Sequence, residues 1–207
     1  MKSAPMPGAR LTPQLVVQEA ARLSDEEGFA ELTLAKVARH FGVAVPSLYK
    51  HVDGLAGLRL EVALLGVTEL GDRLREAAVG RAGADALRAV ADSYRRYALT
   101  HPGRHSAIQQ APALVGTGVL PVSTDPVEVL SSVLRGFAIP EEQHVHVIRG
   151  LRSALHGFVD LEITGGFGLP EDVETSFALL VEVFVRTLSD RPCDMAPWES
   201  KSTTRRD

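Results

Sequence analysis

Ser47, Tyr49, Lys50 and His51 place a hydroxyl, a phenol, an ammonium and an imidazole within one short stretch, "VPSLYKHV", beside small apolar groups at Ala44, Val45 and Pro46. Such a set suits the edges of base pairs and the phosphates next to them. Leu48 and Val52 stand four apart, on one face of a helix, and can pack on Val37, Phe41 and Val43 of the segment before. That leaves Val45, Pro46, Ser47, Tyr49, Lys50 and His51 facing away from the core. A helix of barely two turns is marginal by itself, so the packing face is what must hold it. The preceding helix begins behind Thr33 and lines up Leu34, Val37, Ala38 and Phe41 at i, i+3, i+4, i+7; Gly42 then supplies a left-handed stop that lets the chain reverse. The pattern predicts a helix-turn-helix whose second helix is thin enough to enter a major groove. The same corner also occurs as a plain packing motif, and the pattern alone leaves both readings open.

Other spacings that could do chemistry fail on inspection. His101 and His105 have the i, i+4 spacing of a zinc pair, but Pro102-Gly103 between them is expected to break the helix that would align them. His144 and His146 lie two apart, about 200° around a helix, and read as a solvated face. Gly116-x-Gly118 lacks a third glycine and a preceding strand, so it is no dinucleotide loop. No serine elbow is present. Cys193 is the single cysteine, which excludes an intrachain disulfide and a thiolate metal cluster within one chain, and it reads as a reduced thiol. No enzyme, cofactor or metal is expected.

Around Ser47 to His51, every readable segment repeats its apolar residues at three and four, and the expected fold class is all-α. Thr12 is a candidate N-cap before Pro13, with Leu11 and Val16 as a hydrophobic staple. That first helix ends at Gly28. A long helix from about Asp53 to Glu76 follows the corner, then one from about Asp85 to Thr100 that "HPG" cuts at 101 to 103. The stretch 111–126 reads as loop. Asp125-Pro126 opens a helix to about Phe137, Pro140 another to about Thr164, and a last one covers about Glu171 to Leu188. The expected organisation is an N-terminal arm over 1–9, a three-helix domain over 10–65, a long joining helix, a helical domain over 66–190, and a polar tail over 191–207.

The chain has 207 residues, 45% of them hydrophobic, with a formal net charge of −4. That balance argues against a protein coating nucleic acid non-specifically. Residues 1–60 hold seven Lys/Arg and six Asp/Glu, a balance of +1, whereas 61–207 hold fifteen and twenty, a balance of −5. A polyanion would prefer the N-terminal part. There is no apolar run long enough for a membrane span and no signal-peptide pattern at the N-terminus, so a cytoplasmic location without membrane contact is expected.

Residues 10–65 resemble the DNA-binding domain of the tetracycline-repressor (TetR) family of bacterial transcription regulators, through Gly28, Thr33, Val37-Ala38, "FGVAVPSLYKHV" and Leu58. The resemblance implies that Thr33 caps the second helix and touches phosphate, and that Ala44, Val45, Pro46, Ser47 and Lys50 face bases. It also implies that Tyr49 and His51 hold the DNA backbone. The family usually has a polar residue where Ala44 stands, a phenylalanine at Val52 and a phosphate-gripping lysine at Leu55. Loss of that lysine leaves Lys2, Arg10, Lys36, Arg39 or Lys50 to compensate. Residues 151–170 are similar to a C-terminal domain type marked by a His-Gly motif (WHG-like), here His156-Gly157. Gly157 is expected to mark a close helix approach, and His156 to be a hydrogen-bonded core histidine.

A two-turn reading helix recognises few base pairs, so specificity is expected from a homodimer on a palindromic operator. The last two long helices are apolar on more than one side, and Val145, Ile148, Phe177, Val181 and Phe184 are the candidate dimer residues; burial of both helices within one chain is the other reading. Helix bundles hold ligands between facing helices, and a small organic effector that releases DNA is expected. Tyr94, Tyr97, His101, His105, Gln109 and Arg152 are its candidate contacts, each equally readable as an ordinary boundary residue. A repressor is the expected role. The alternative from another class is a helical ligand- or protein-binding adaptor that keeps the corner without reading DNA, supported by Leu55 and the acidic remainder.

Overall fold

The computed structural model describes residues 11–111, 114, 120–121 and 124–190. The expected arm, the polar tail with Cys193, the cations Lys2 and Arg10, and Gly116 and Gly118 lie outside the described residues. Those described form helices and turns with no strand among them.

Helix α1 (Pro13–Glu27) starts as its sequence predicts: the Thr12 hydroxyl accepts from the Leu15 N–H at 3.2 Å and Pro13 occupies the first turn. It ends at Gly28, whose φ of 96° excludes most side chains. Helix α2 (Leu34–Phe41) and a 3₁₀ helix (Val45–Lys50) make the corner. Helix α3 (Gly54–Ala78) is 25 residues long and therefore about 37 Å from end to end. It runs unbroken across position 65, the expected domain limit, and packs against α1 as well as against α4 (Gly83–Thr100), α5 (Pro102–Gln110) and α6 (Pro126–Leu134). Helices α7 (His144–Ile163) and α8 (Val173–Ser189) lie against the outer side of α4. Arg95 ties them there, reaching Glu162 of α7 at 2.7 Å and Glu174 of α8 at 2.6 Å while its guanidinium sits 4.8 Å from the Phe177 ring centre. One continuous apolar core runs from Val16 to Leu188. No described helix is long and apolar enough to cross a membrane.

Several expectations change. Pro102-Gly103 ends α4 but opens α5, because proline lacks only the N–H that a first turn leaves unused anyway. Gly103 is required there by packing, since a Cβ would overlap the Ser24 carbonyl of α1. Pro140 opens only a 3₁₀ turn (Glu141–Gln143), and α7 starts at His144. His144 is buried rather than solvated, and among the described residues neither of its ring nitrogens has a hydrogen-bond partner; only His146 is exposed. Gly157 does not mark a close approach within the chain, for a Cβ there would meet nothing within 4 Å.

Candidate nucleic-acid interface and internal cavity

The corner is built from its caps. Thr33 Oγ1 accepts the Lys36 N–H at 3.2 Å, fixing the first turn of α2. At the other end Gly42 is left-handed (φ 66°, ψ 28°), and the Val43 N–H reaches back to the Ala38 carbonyl at 3.0 Å, closing the carbonyls that a helix end leaves open. The second helix is not the α-helix expected but a 3₁₀ helix, held by Ser47 N–H to Ala44 C=O at 2.9 Å and His51 N–H to Leu48 C=O at 2.8 Å. Six residues with Pro46 near the start have few i→i+4 bonds to make, and the tighter i→i+3 pattern replaces them.

Packing then decides which groups face out. Leu48 is fully buried and Val52 nearly so, as their spacing predicts. Tyr49 between them is 60% exposed, and Lys50, Pro46, Ala44 and Thr33 are exposed beside it. Lys50 has no ion pair among the described residues. Val45 and Ser47 are half-buried at the edge of this surface. His51 is half-buried and turned to a surface cleft between α1 and α3, lined also by Pro13, Gln14, Leu60 and Leu64. Lys36 is engaged elsewhere, with its ammonium 2.9 Å from Glu27 and 3.8 Å from Glu31. Arg39, one turn further along α2, is exposed and has no ion pair among the described residues. Leu55, where a lysine was expected, packs its side chain against the core.

The six candidate effector contacts separate into two groups. Tyr94, Gln109 and Arg152 line an internal cavity with Leu70, Leu74, Ile108, Pro126, Val127, Leu130, Ile148 and Leu155. His105 adjoins it, joined through Nε2 to the Tyr94 hydroxyl at 2.8 Å. Burial, followed by the fields of His156 and Arg152, pushes the His105 pKa down to about 4, so the ring is neutral at pH 7. The Tyr94 hydroxyl is held well above its usual range by burial. Tyr97 and His101 point elsewhere: Tyr97 donates to the Gly66 carbonyl at 3.0 Å, and His101 Nδ1 lies 3.3 Å from Asp25. His101 and His105 therefore diverge and make no metal pair. His156 is half-buried with its ring 5.4 Å from that of His105, and its buried Nδ1 has no hydrogen-bond partner among the described residues. Sequence reading placed it in the core and missed its place beside the cavity; its position four after Arg152, one helical turn along, is the signal that could have found it.

The candidate dimer residues also divide. Ile148, Phe177 and Val181 are buried in the chain's own core, at 4%, 0% and 3% exposure, because α7 packs on α4 and α6 and α8 packs on α4. Val145 is exposed and Phe184 half-buried. The outward apolar residues of these helices are Val145, Leu161, Ile163, Leu179 and Val183.

With this geometry established, two family models match the chain: bacterial regulatory proteins of the tetR family over residues 16–62, and the tetracyclin repressor-like C-terminal domain over 87–184. An uncharacterised HTH-type transcriptional regulator of Bacillus subtilis, YobS, is 32% identical over 185 residues, 88% of this chain and 95% of that protein. The chain belongs to the TetR family. It is a transcription regulator of the helix-turn-helix class and not an enzyme. Solved TetR-family structures share its fold. BioQ, crystallised with its double-stranded DNA operator, superposes with a TM-score of 0.60 at 20% identity, covering 85% of this chain and 99% of that one. ActR of Streptomyces coelicolor in complex with (S)-DNPA superposes at 0.63 with 18% identity, covering 87% and 98%. The TetR-family model over 16–62 spans α1, α2, the 3₁₀ helix and the first part of α3, the elements that hold Tyr49 and Lys50 outward.

Proposed function

We propose that this TetR-family chain is a cytoplasmic repressor that binds a palindromic operator as a homodimer and leaves it when a small organic effector enters the C-terminal cavity. The observation that carries the reading is the alternation at the corner, with Leu48 fully buried and Tyr49 60% exposed. It anchors one side of the 3₁₀ helix and offers the other, with Thr33, Ala44, Pro46, Ser47 and Lys50, to a major groove. Six residues span too few base pairs to specify a site, which favours two copies on two half-sites. The exposed apolar residues Leu161, Leu179 and Val183 on α7 and α8 suit the pairing face. The cavity bounded by Tyr94, Gln109 and Arg152 suits the effector.

The test is selection of duplexes from a random pool by the full chain at moderate salt. The expected product is a palindrome with half-sites roughly one helical turn, about 10 bp, apart or a multiple of it. No enrichment at any salt would support the adaptor reading, for which Leu55 and the acidic remainder over 61–207 are the arguments.

A further inference from the structure

We infer that the ligand of the internal cavity is an organic monoanion: an apolar body carrying one carboxylate, with the carboxylate bound by Arg152. The inference rests on the effector reading above and gives that effector its chemistry. The wall is apolar on nearly every side, through Leu70, Leu74, Leu130, Ile148 and Leu155, and Arg152 is the one charged side chain among the described residues that line it. Its guanidinium has no carboxylate partner among the described residues. Its one described hydrogen bond goes to the neutral Gln109 Oε1, at 3.3 Å. Arg22, Arg88, Arg95 and Arg104 each meet a carboxylate at 2.8 Å or closer. A guanidinium at the edge of an apolar wall gains most from an anion that takes two of its N–H groups at once.

The neighbours agree with that sign. Tyr94 and His105 are neutral and bonded to each other, and no acidic residue lines the cavity among the described residues. The field of Asp160 reaches His105, but Asp160 itself is exposed. The buried Nδ1 of His156 is unsatisfied beside this group and can serve as a further donor or acceptor. A cationic ligand would be repelled by Arg152, and a neutral one would leave its charge as unpaired as it is now. The space is only about 40 Å³, little more than one water, so the apolar body must push the wall apart as it enters. Gln109 is the group displaced from Arg152. It lies in the last turn of α5, whose first turn is bound to α1, so entry of the acid strains the element that joins cavity and corner.

The experiment is calorimetric titration of the full chain at pH 7 with straight-chain carboxylates from butanoate to decanoate and with the matching primary amides, repeated with Arg152→Gln. At least one acid is expected to saturate one site per chain, with its amide about tenfold weaker or more. Arg152→Gln, its helical content checked by circular dichroism, is expected to abolish that difference. Amides that bind as well as acids, a difference that survives in Arg152→Gln, or no saturable binding in the whole series would each overturn the inference. The comparison of acid with amide on the unaltered chain holds even if the variant folds poorly. Release of a selected duplex separates the two readings. An acid that binds through Arg152 without releasing DNA upholds the site's chemistry and removes its effector role. Amides that release DNA as well as acids do the reverse.

Discussion

The Asp25 carboxylate of α1 accepts the main-chain N–H of Arg104 in the first turn of α5 at 2.9 Å, and its other oxygen lies 3.2 Å from the Arg104 guanidinium. One side chain of the DNA-binding half thus holds the start of a helix whose last turn borders the cavity. Arg104 continues the link to Glu69 of α3 at 2.8 Å, and Glu69 in turn accepts from the Tyr97 hydroxyl at 3.2 Å. His101 closes the group on Asp25. Gly103 lets the α1 backbone approach closely enough for these contacts to form.

Asp25→Asn preserves the shape of the acceptor while removing its charge, and it leaves a partly buried guanidinium with one fewer counterion. The expected loss is about 1–3 kcal/mol of unfolding free energy. Urea denaturation followed by circular dichroism measures it; an unchanged midpoint would show that the contact is incidental.

Gly103→Ala places a methyl group against the Ser24 carbonyl, where neither backbone is free to yield. We expect about 1–3 kcal/mol of destabilisation from overpacking, read in the same denaturation experiment. This substitution is helix-favouring by propensity, so the sign of the change separates packing from propensity.

How much of this was legible beforehand follows from the range of the forces involved. The caps at Thr12 and Thr33, the stop at Gly42 and the inward pair Leu48 and Val52 are set by neighbours within a few positions, and the chain alone displays them. Helix α5 was hidden because Pro102-Gly103 is a local breaker whose glycine is needed by a contact 79 positions away in the chain, between Arg104 and Asp25. His144 reads as polar surface by type, yet its position puts it on the same face as Ile148 and Leu151. The stripe of Phe177 and Val181 is apolar for either purpose, and only the placement of α4 shows that it fills the chain's own core. Tyr94, His105, Gln109 and Arg152 were named from their types. Their convergence depends on how α4, α5 and α7 pack, which no local pattern reveals.

Stability should fall as pH is lowered through the range set by His105. Its folded pKa is about 4, below the ordinary value of 6.5, because burial disfavours the charged ring. The unfolded chain therefore binds more protons between those values. Stability is complete above about pH 6.5 and is lost as pH drops toward 4, by roughly 2–3 kcal/mol from this group. His156, Arg152, Asp160 and Tyr94 surround the ring and are left unaltered in His105→Gln, which should show a shallower loss over the same range in thermal melts. A slope identical to that of the unaltered chain would contradict the assignment.

Core and pairing face are separable by mutation. Phe177→Ala removes a fully buried ring and should cost about 3–5 kcal/mol. Val183→Asp alters a side chain that is 61% exposed, and within one chain it should change stability little. If α7 and α8 form the dimer face, Val183→Asp should elute as a folded monomer in light-scattering chromatography. A dimer as tight as that of the unaltered chain would move the interface elsewhere.

The most direct measurement of the central claim is the affinity of Tyr49→Ala and Lys50→Ala for a selected duplex, by fluorescence anisotropy at several salt concentrations, each variant paired with its melting temperature. Both side chains are exposed, so the melting temperatures should stay near that of the unaltered chain. Binding should weaken about tenfold or more in each variant, and Lys50→Ala should lower the slope of log affinity against log salt by about one per chain. Undiminished duplex binding by both folded variants would contradict the account, because the surface held out by buried Leu48 would then not be the one that meets DNA.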